Sequence, residues 1–203
     1  MTQSLTPAIP ELPVYRLTVE QYEAMLAAGI LNADDRVELL SGWLVPKMTK
    51  NSPHIVAGML VSQLFTRLLP PDWCLAPQAP VIAGIDSLPE PDFAILRGAP
   101  RDYKKRRPNP GDVGLVIEIA DSSVEKDTET KWEIYGRAGI CLYWVLIVRE
   151  GEERLQVFTE PFSDPTAEAA GFRRQETFLA GQTVPLVLDG TLVGEIAVDD
   201  LLP

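Results

Sequence analysis

The stretch from residue 113 to residue 148 decides the fold of this chain: VGLVIEIADSSVEKDTETKWEIYGRAGICLYWVLIV. It begins and ends with an apolar run of strand length, and the segment between them suits a helix that ends at Gly139. Strands that are apolar throughout are typical of the centre of a sheet, and a helix between two of them predicts parallel neighbours. We therefore predict an α/β fold in which this strand–helix–strand unit belongs to a mixed central sheet.

Glu118 lies inside the first apolar run, where a carboxylate is unexpected. Burying it costs on the order of several kcal/mol unless another group pairs with it or binds it. The following helix carries Asp127, Lys131 and Tyr135 at steps of four, so these side chains share one face. Because the helix runs back along the strand, we expect Lys131 to lie over Glu118. This contact has two interpretations, a structural salt bridge or part of a functional site.

Length and composition indicate a single domain over residues 1–203. We expect residues 1–13, which include three prolines, to form an extended arm and residues 182–203 to form a peripheral tail. No apolar run is long enough to cross a membrane. Cys74 and Cys141 are too few for a disulfide framework, which favours a cytoplasmic location.

The charge of the chain argues against nucleic-acid binding by a generally basic surface, because the net charge is −11. One local exception is the basic loop, RGAPRDYKKRRPNPGD, which contains Lys104, Lys105, Arg106 and Arg107. This loop is either a solvated surface segment or a contact for a phosphate backbone.

Start and stop signals predict two more helices and several more strands. Thr18 and Gln21 form a capping box for a helix that Gly29 ends, and Asn51 or Ser52 caps a second helix. Two further strands are expected in a hairpin that turns at Ser41-Gly42. Single strands are expected near 73–76, 79–83 and 92–96, and an antiparallel pair is expected around a loop at 160–171.

Two more acids stand in unusual positions. Glu38 lies in the apolar run VELL, and Asp92 begins a predicted strand after a proline-rich approach. Each has an ordinary alternative, a solvent-facing strand residue for Glu38 and a turn residue for Asp92. If both converge with Glu118, their mutual repulsion calls for a cation. Mg²⁺ prefers oxygen ligands, and the single histidine, His54, excludes a multi-histidine zinc site.

The order and spacing of several short motifs resemble the Uma-type family of restriction endonuclease-like proteins in the PD-(D/E)XK nuclease superfamily. The motifs are VELLSG, SPH, PEPDFAIL, VIEIADSS, DTETKWEIYGRAG and YWVL, and the resemblance extends from about residue 18 to residue 159. It implies a restriction endonuclease-like core, a central mixed β-sheet flanked by helices, with an extra N-terminal helix and hairpin.

The resemblance also implies roles for individual residues. Asp92 and Glu118 would be metal ligands, Glu38 would complete the site, and Lys131 would be the catalytic lysine. The implied cofactor is Mg²⁺, with Mn²⁺ as a substitute. The superfamily usually places its lysine two residues after the acid, but that position is Ala120 here. The resemblance instead places the lysine on the following helix, where Lys131 lies.

The implied function is metal-dependent endonucleolytic hydrolysis of DNA by a cytoplasmic homodimer. His54 would contact substrate phosphate or transfer a proton. The alternative is a structural residue at the start of its helix, hydrogen-bonded to the backbone. Asp121 is either a further ligand or a turn cap, and Tyr135 is more typical of packing. Two alternatives stay open. One is an inactive nuclease-fold module that binds DNA or protein, and the other is a hydrolase of small phosphoesters.

Overall fold

The computed structural model describes residues 14–121, 123–167 and 169–203. The expected arm at 1–13 lies outside these ranges. The helices are α1 (Val19–Ala27), α2 (Ser52–Leu68) and α3 (Lys131–Arg137). The strands are β1 (Val37–Leu40), β2 (Trp43–Pro46), β3 (Trp73–Pro77), β4 (Phe93–Arg97), β5 (Val113–Ala120), β6 (Leu142–Ile147), β7 (Arg154–Asp164), β8 (Ala169–Phe178), β9 (Thr183–Leu188) and β10 (Thr191–Ala197).

Six strands form the central sheet in the order β3-β4-β5-β6-β7-β8. The pair β5 and β6 is parallel, with Glu118 opposite Val145, while the other neighbouring pairs are antiparallel. The predicted α/β class, the mixed sheet and the parallel unit over 113–148 are therefore confirmed. The crossover between the two parallel strands contains α3, so this helix is held against the sheet near Glu118.

The N-terminal elements follow their sequence signals. The Thr18 side chain accepts a hydrogen bond from the Gln21 backbone N–H, and the Gln21 side chain accepts one from the Thr18 N–H, which caps α1. The strands β1 and β2 pair as the predicted hairpin. Asn51 caps α2 by accepting a hydrogen bond from the backbone N–H of His54. No helix in the described ranges is long and apolar enough to span a membrane.

Two predicted strand segments need correction. Residues 79–83 are a loop rather than a strand, because the N–H groups of Val81 and Ala83 donate to Pro89 and Ser87, on a returning loop. The antiparallel pair β7–β8 is also longer than predicted, since its pairing continues to Asp164 and Ala169. Part of the predicted loop at 160–171 therefore belongs to the sheet.

The sheet buries apolar side chains on both faces. One face packs against α2 and contains Ile117, Ile119 and Trp144. The other face contains Val116 and Ala120 and packs against Tyr135 of α3. Strand alternation puts Glu118 on the second face, as expected.

Residues 182–203 lie outside the six-stranded sheet but contribute to the core. The strands β9 and β10 form their own two-stranded sheet. Val184, Leu186 and Ile196 are at most 1% exposed and join the cluster on the α2 side. This segment therefore covers one face of the central sheet.

Candidate active site

One pocket of about 570 Å³ collects the predicted catalytic residues. Glu38 comes from β1, Asp92 from the residue before β4, Glu118 from β5 and Lys131 from the start of α3. His54, in the first turn of α2, lines the same pocket. Five residues from separate parts of the sequence are thus brought together in one pocket.

Glu118 is almost fully buried and is held by two donors. The Lys131 ammonium lies 2.7 Å from Glu118 Oε1, and the Tyr135 hydroxyl donates to the same oxygen at 2.9 Å. Glu118 Oε2 accepts no hydrogen bond from any other residue in the described ranges. Tyr135 thus both packs in the core and touches the site.

Three carboxylates surround the ammonium of Lys131. Besides Glu118, its Nζ lies 3.6 Å from Glu38 Oε2 and 3.7 Å from Asp127 Oδ1. Burial lowers the pKa of Lys131, but these carboxylates outweigh burial and hold the pKa above its usual range. Burial, reinforced by the neighbouring acids, raises the pKa of Glu118 despite the opposing effect of Lys131. Lys131 is therefore a permanent cation in an acid-rich environment.

Asp92 is held by side chains of the α2 region and by the backbone of β5. Its Oδ1 accepts a hydrogen bond from Lys50 Nζ at 2.7 Å, and its Oδ2 lies 3.1 Å from His54 Nε2. The backbone N–H of Ile119 also donates to Oδ2, at 2.9 Å. Burial raises the pKa of Asp92, but His54 and Lys50 outweigh burial and lower the pKa to about 2. Asp92 is therefore ionised at neutral pH.

Glu38 uses both of its oxygens. Lys126 Nζ donates to Oε1 at 2.8 Å, and the backbone N–H of Glu90 donates to Oε2 at 3.1 Å. Burial raises the pKa of Glu38, but Lys131 and Lys126 outweigh burial and lower it. Glu38 is therefore the shared partner of two lysines.

Sequence reasoning missed Lys50 and Lys126. Lys50 directly precedes the cap of α2, a position that suggests nothing about its contact with Asp92, 42 residues away. Lys126 is five residues before Lys131, a spacing that an α-helix does not place on one face. Residues Lys126–Thr130 form a π turn, which sequence periodicity does not reveal.

The residues of the basic loop are only partly available to a ligand. Arg106 forms a two-point salt bridge with Asp112, and Arg107 pairs with Glu23. Lys104 and Lys105 are exposed and form no ion pair within the described ranges. Of these four loop cations, Arg107 lines the pocket.

Asp121, at the end of β5, is occupied by contacts outside the acid cluster. Its carboxylate accepts a hydrogen bond from the Asn51 side chain, and its backbone carbonyl accepts two from Arg149. These bonds tie β5 to the start of α2 and to the segment after β6. They favour a turn-stabilising role over the alternative of a metal ligand.

The chemistry of the acids suits a hard cation. The pocket offers carboxylate oxygens from Asp92 and Glu118, and the N–H of Ile119 connects the loop of one to the strand of the other. Among the described residues no group of three or more acids, histidines or cysteines is arranged to hold a metal ion. Mg²⁺ needs only one or two carboxylates, because water completes its shell. Two carboxylates with solvent therefore fit Mg²⁺.

Comparison with known proteins identifies a family and a solved structure that is similar to this chain. The family model Uma2, described as "Putative restriction endonuclease", matches residues 19–192. No curated protein matches the chain. A crystal structure of a protein from Anabaena variabilis ATCC 29413, described as "a putative nuclease belonging to DUF820", is 14% identical and aligns with a TM-score of 0.62, covering 91% of this chain and 97% of that one.

The solved structure supports the fold, and the family model covers most of the sequence. The alignment covers 91% of this chain, so the predicted restriction endonuclease-like architecture with a central mixed sheet is confirmed. The family match includes Glu38, Asp92, Glu118 and Lys131. The chain belongs to the Uma2 family, whose model matches 19–192.

Proposed function

We propose that this protein is a metal-dependent endonuclease that hydrolyses phosphodiester bonds in DNA. The observation that carries the proposal is the convergence of Glu38, Asp92, Glu118 and Lys131 on one pocket. A protein that only binds a partner has no need to bury Glu118 and Lys131 as a charged pair at the wall of a pocket.

Asp92 and Glu118 would hold Mg²⁺, with Mn²⁺ as a substitute. The ion would lower the pKa of a bound water and offset negative charge in the transition state. Lys131 would keep Glu118 in place and contribute positive charge to the pocket. Glu38 would complete the acid cluster as the partner of the site lysines, and His54 would orient Asp92.

The charge of the pocket supports an anionic substrate. The chain has 18 lysines and arginines against 29 acids. The pocket, in contrast, is lined by equal numbers of basic and acidic residues: Arg36, Lys47, Lys50, Arg107, Lys126 and Lys131 against Glu38, Glu90, Asp92, Glu118, Asp121 and Asp127. Local neutrality in an acidic protein reduces the repulsion that a phosphate group would otherwise meet.

The basic loop is proposed as the contact for DNA beyond the scissile phosphate. Lys104 and Lys105 would meet the backbone directly, because neither has a carboxylate partner among the described residues. Arg107 would extend this contact to the pocket that it lines. Arg106 would act mainly by holding the loop to Asp112.

The cytoplasm and a homodimeric state belong to the same proposal. Cys74 and Cys141 are both free, which suits a reducing compartment. Two strands of a duplex need two cleavage events, so a second copy would supply the second site.

Calorimetric titration with Mn²⁺ tests the proposal. We expect the wild type to bind Mn²⁺ and Glu118→Gln and Asp92→Asn to lose binding while staying folded by circular dichroism. Plasmid, single-stranded DNA and RNA would then be screened for cleavage. Absence of Mn²⁺ binding both with and without nucleic acid would contradict the metal mechanism and favour an inactive binding module. Cleavage confined to small phosphoesters would favour the alternative of a hydrolase that acts on such substrates.

A further inference from the structure

A π turn precedes α3 at the edge of the pocket. It spans Lys126–Thr130, and the N–H of Lys131 donates to the carbonyl of Lys126, five residues earlier. Five residues rotate an α-helix by about 140° beyond a full turn, so Lys126 and Lys131 would then point in different directions. Here both ammonium groups lie near Glu38, Lys126 at 2.8 Å and Lys131 at 3.6 Å. The π turn therefore supplies the pocket with two lysines.

The two lysines differ in burial and in partners. The Lys131 side chain is 4% exposed and has three carboxylates around its ammonium. The Lys126 side chain is 22% exposed and pairs with Glu38. Both line the pocket, but Lys126 is the lysine with solvent access.

The cost of moving each ammonium also differs. If Lys131 turned toward a phosphate, Glu118, Asp127 and Glu38 would share a buried site without their common cation. If Lys126 turned, Glu38 would keep the N–H of Glu90 and the nearby charge of Lys131. An exchange of one anionic partner for another therefore costs less at Lys126.

We propose that Lys126, rather than Lys131, is the lysine that contacts the substrate, and that its ammonium binds the phosphate to be cleaved. Lys131 is then a positioning residue for Glu118, the carboxylate that it holds at 2.7 Å. Glu38 is the resting partner of Lys126, which gives a function to the buried acid of the β1–β2 hairpin. This inference rests on the proposed nuclease function and identifies which lysine of that site serves it.

The affinity for a nucleoside 3′,5′-bisphosphate, measured by calorimetry with Ca²⁺ present, tests the assignment. We expect Lys126→Met to weaken binding about tenfold, the effect of losing one charge-assisted hydrogen bond, and Lys126→Arg to restore most of it. Arg137→Met is the matched control. Like Lys126, Arg137 pairs with a glutamate, in this case Glu133 of α3, but Arg137 lies outside the pocket. This substitution should leave the affinity unchanged.

The outcomes separate this inference from the proposed function. If the wild type binds the bisphosphate and Lys126→Met binds it with the same affinity, the role of Lys126 is overturned and the nuclease proposal is kept. Absence of binding by the wild type overturns both. If Lys126→Met fails to fold because Glu38 loses its partner, the double variant Lys126→Met/Glu38→Gln removes both charges, and it should show the same tenfold loss. Wild-type affinity in that double variant would also overturn the assignment.

Discussion

The backbone N–H of Ile119 donates a hydrogen bond of 2.9 Å to Asp92. This bond joins the segment before β4 to the strand that carries Glu118, so the two proposed metal ligands are fixed relative to each other. The Asp92 carboxylate thereby has two functions, one in the structure and one in the proposed chemistry. Different substitutions at this position should separate them.

Asp92→Asn should be more stable than Asp92→Ala. Asparagine retains an oxygen that can accept the Ile119 N–H, whereas alanine leaves this donor without its partner at a cost of about 1–3 kcal/mol. We expect urea unfolding to show a larger loss for Asp92→Ala than for Asp92→Asn, because asparagine loses the charge but keeps an acceptor for this N–H. Both variants should lose Mn²⁺ binding. Equal stability of the two variants would show that the Ile119 bond contributes little.

Lys50→Ala should strengthen metal binding rather than weaken it. The Lys50 ammonium lies 2.7 Å from Asp92 Oδ1, so an incoming divalent ion must displace it or tolerate its charge. Removing a half-exposed neighbouring charge is worth about 1 kcal/mol, which is about fivefold in affinity. Mn²⁺ titration by calorimetry measures this change.

Lys47→Ala is the control for Lys50→Ala. Lys47 lines the same pocket but pairs with Glu90 instead of a proposed ligand. Its removal should change the Mn²⁺ affinity less than that of Lys50. A weaker Mn²⁺ affinity in Lys50→Ala would contradict a site at Asp92.

Lys131→Met should destabilise the fold strongly. The substitution leaves buried carboxylates without their common cation, which typically costs about 3–5 kcal/mol. Adding Glu118→Gln removes one of the unpaired charges and should recover part of the lost stability. Urea unfolding of both variants measures the effect. A double variant that is no more stable than Lys131→Met would show that Glu118 is not the main partner of this lysine.

The central unit could be predicted from local pattern, whereas the convergence of Glu38 and Asp92 with Glu118 was implied by the family resemblance. Apolar runs identify the parallel strands, and four-residue spacing places Lys131 on the face that meets Glu118. The π turn could not be predicted, since it changes the helical register without a marker in the sequence. The pairing of Arg107 with Glu23 could not be predicted either, because the two residues are 84 positions apart and meet only in the folded chain. The basic loop is consequently more neutral than its sequence indicates.

The basic loop should contribute to duplex binding through Lys104 and Lys105. Replacing both with glutamine should reduce the slope of log affinity against log salt concentration by about two, one for each lost phosphate contact. Arg106→Gln should change the slope less, because Asp112 already neutralises this arginine. Fluorescence anisotropy with a short duplex across a salt series measures the slopes. Unchanged slopes in the double lysine variant would remove the loop from the interface.

Two helical glycines should respond in opposite ways to alanine. A Cβ on Gly136 of α3 would overlap the backbone of Gly171 in β8, so alanine must push the helix away from the sheet. A Cβ on Gly58 of α2 would meet nothing closer than Ile119 Cδ1 at 3.8 Å. Gly136→Ala should therefore lose about 1–3 kcal/mol by overpacking, while Gly58→Ala should gain up to about 1 kcal/mol from its lower chain entropy.

Urea unfolding of the two alanine variants measures both changes. Because α3 carries Lys131, the displacement in Gly136→Ala should also weaken Mn²⁺ binding at Glu118 without altering a single charged group. Gly58→Ala is its control, since α2 keeps its position. Wild-type stability in Gly136→Ala would mean that α3 can move away from β8 without cost. The close contact between Gly136 and Gly171 would then not be what holds the lysine over its acid.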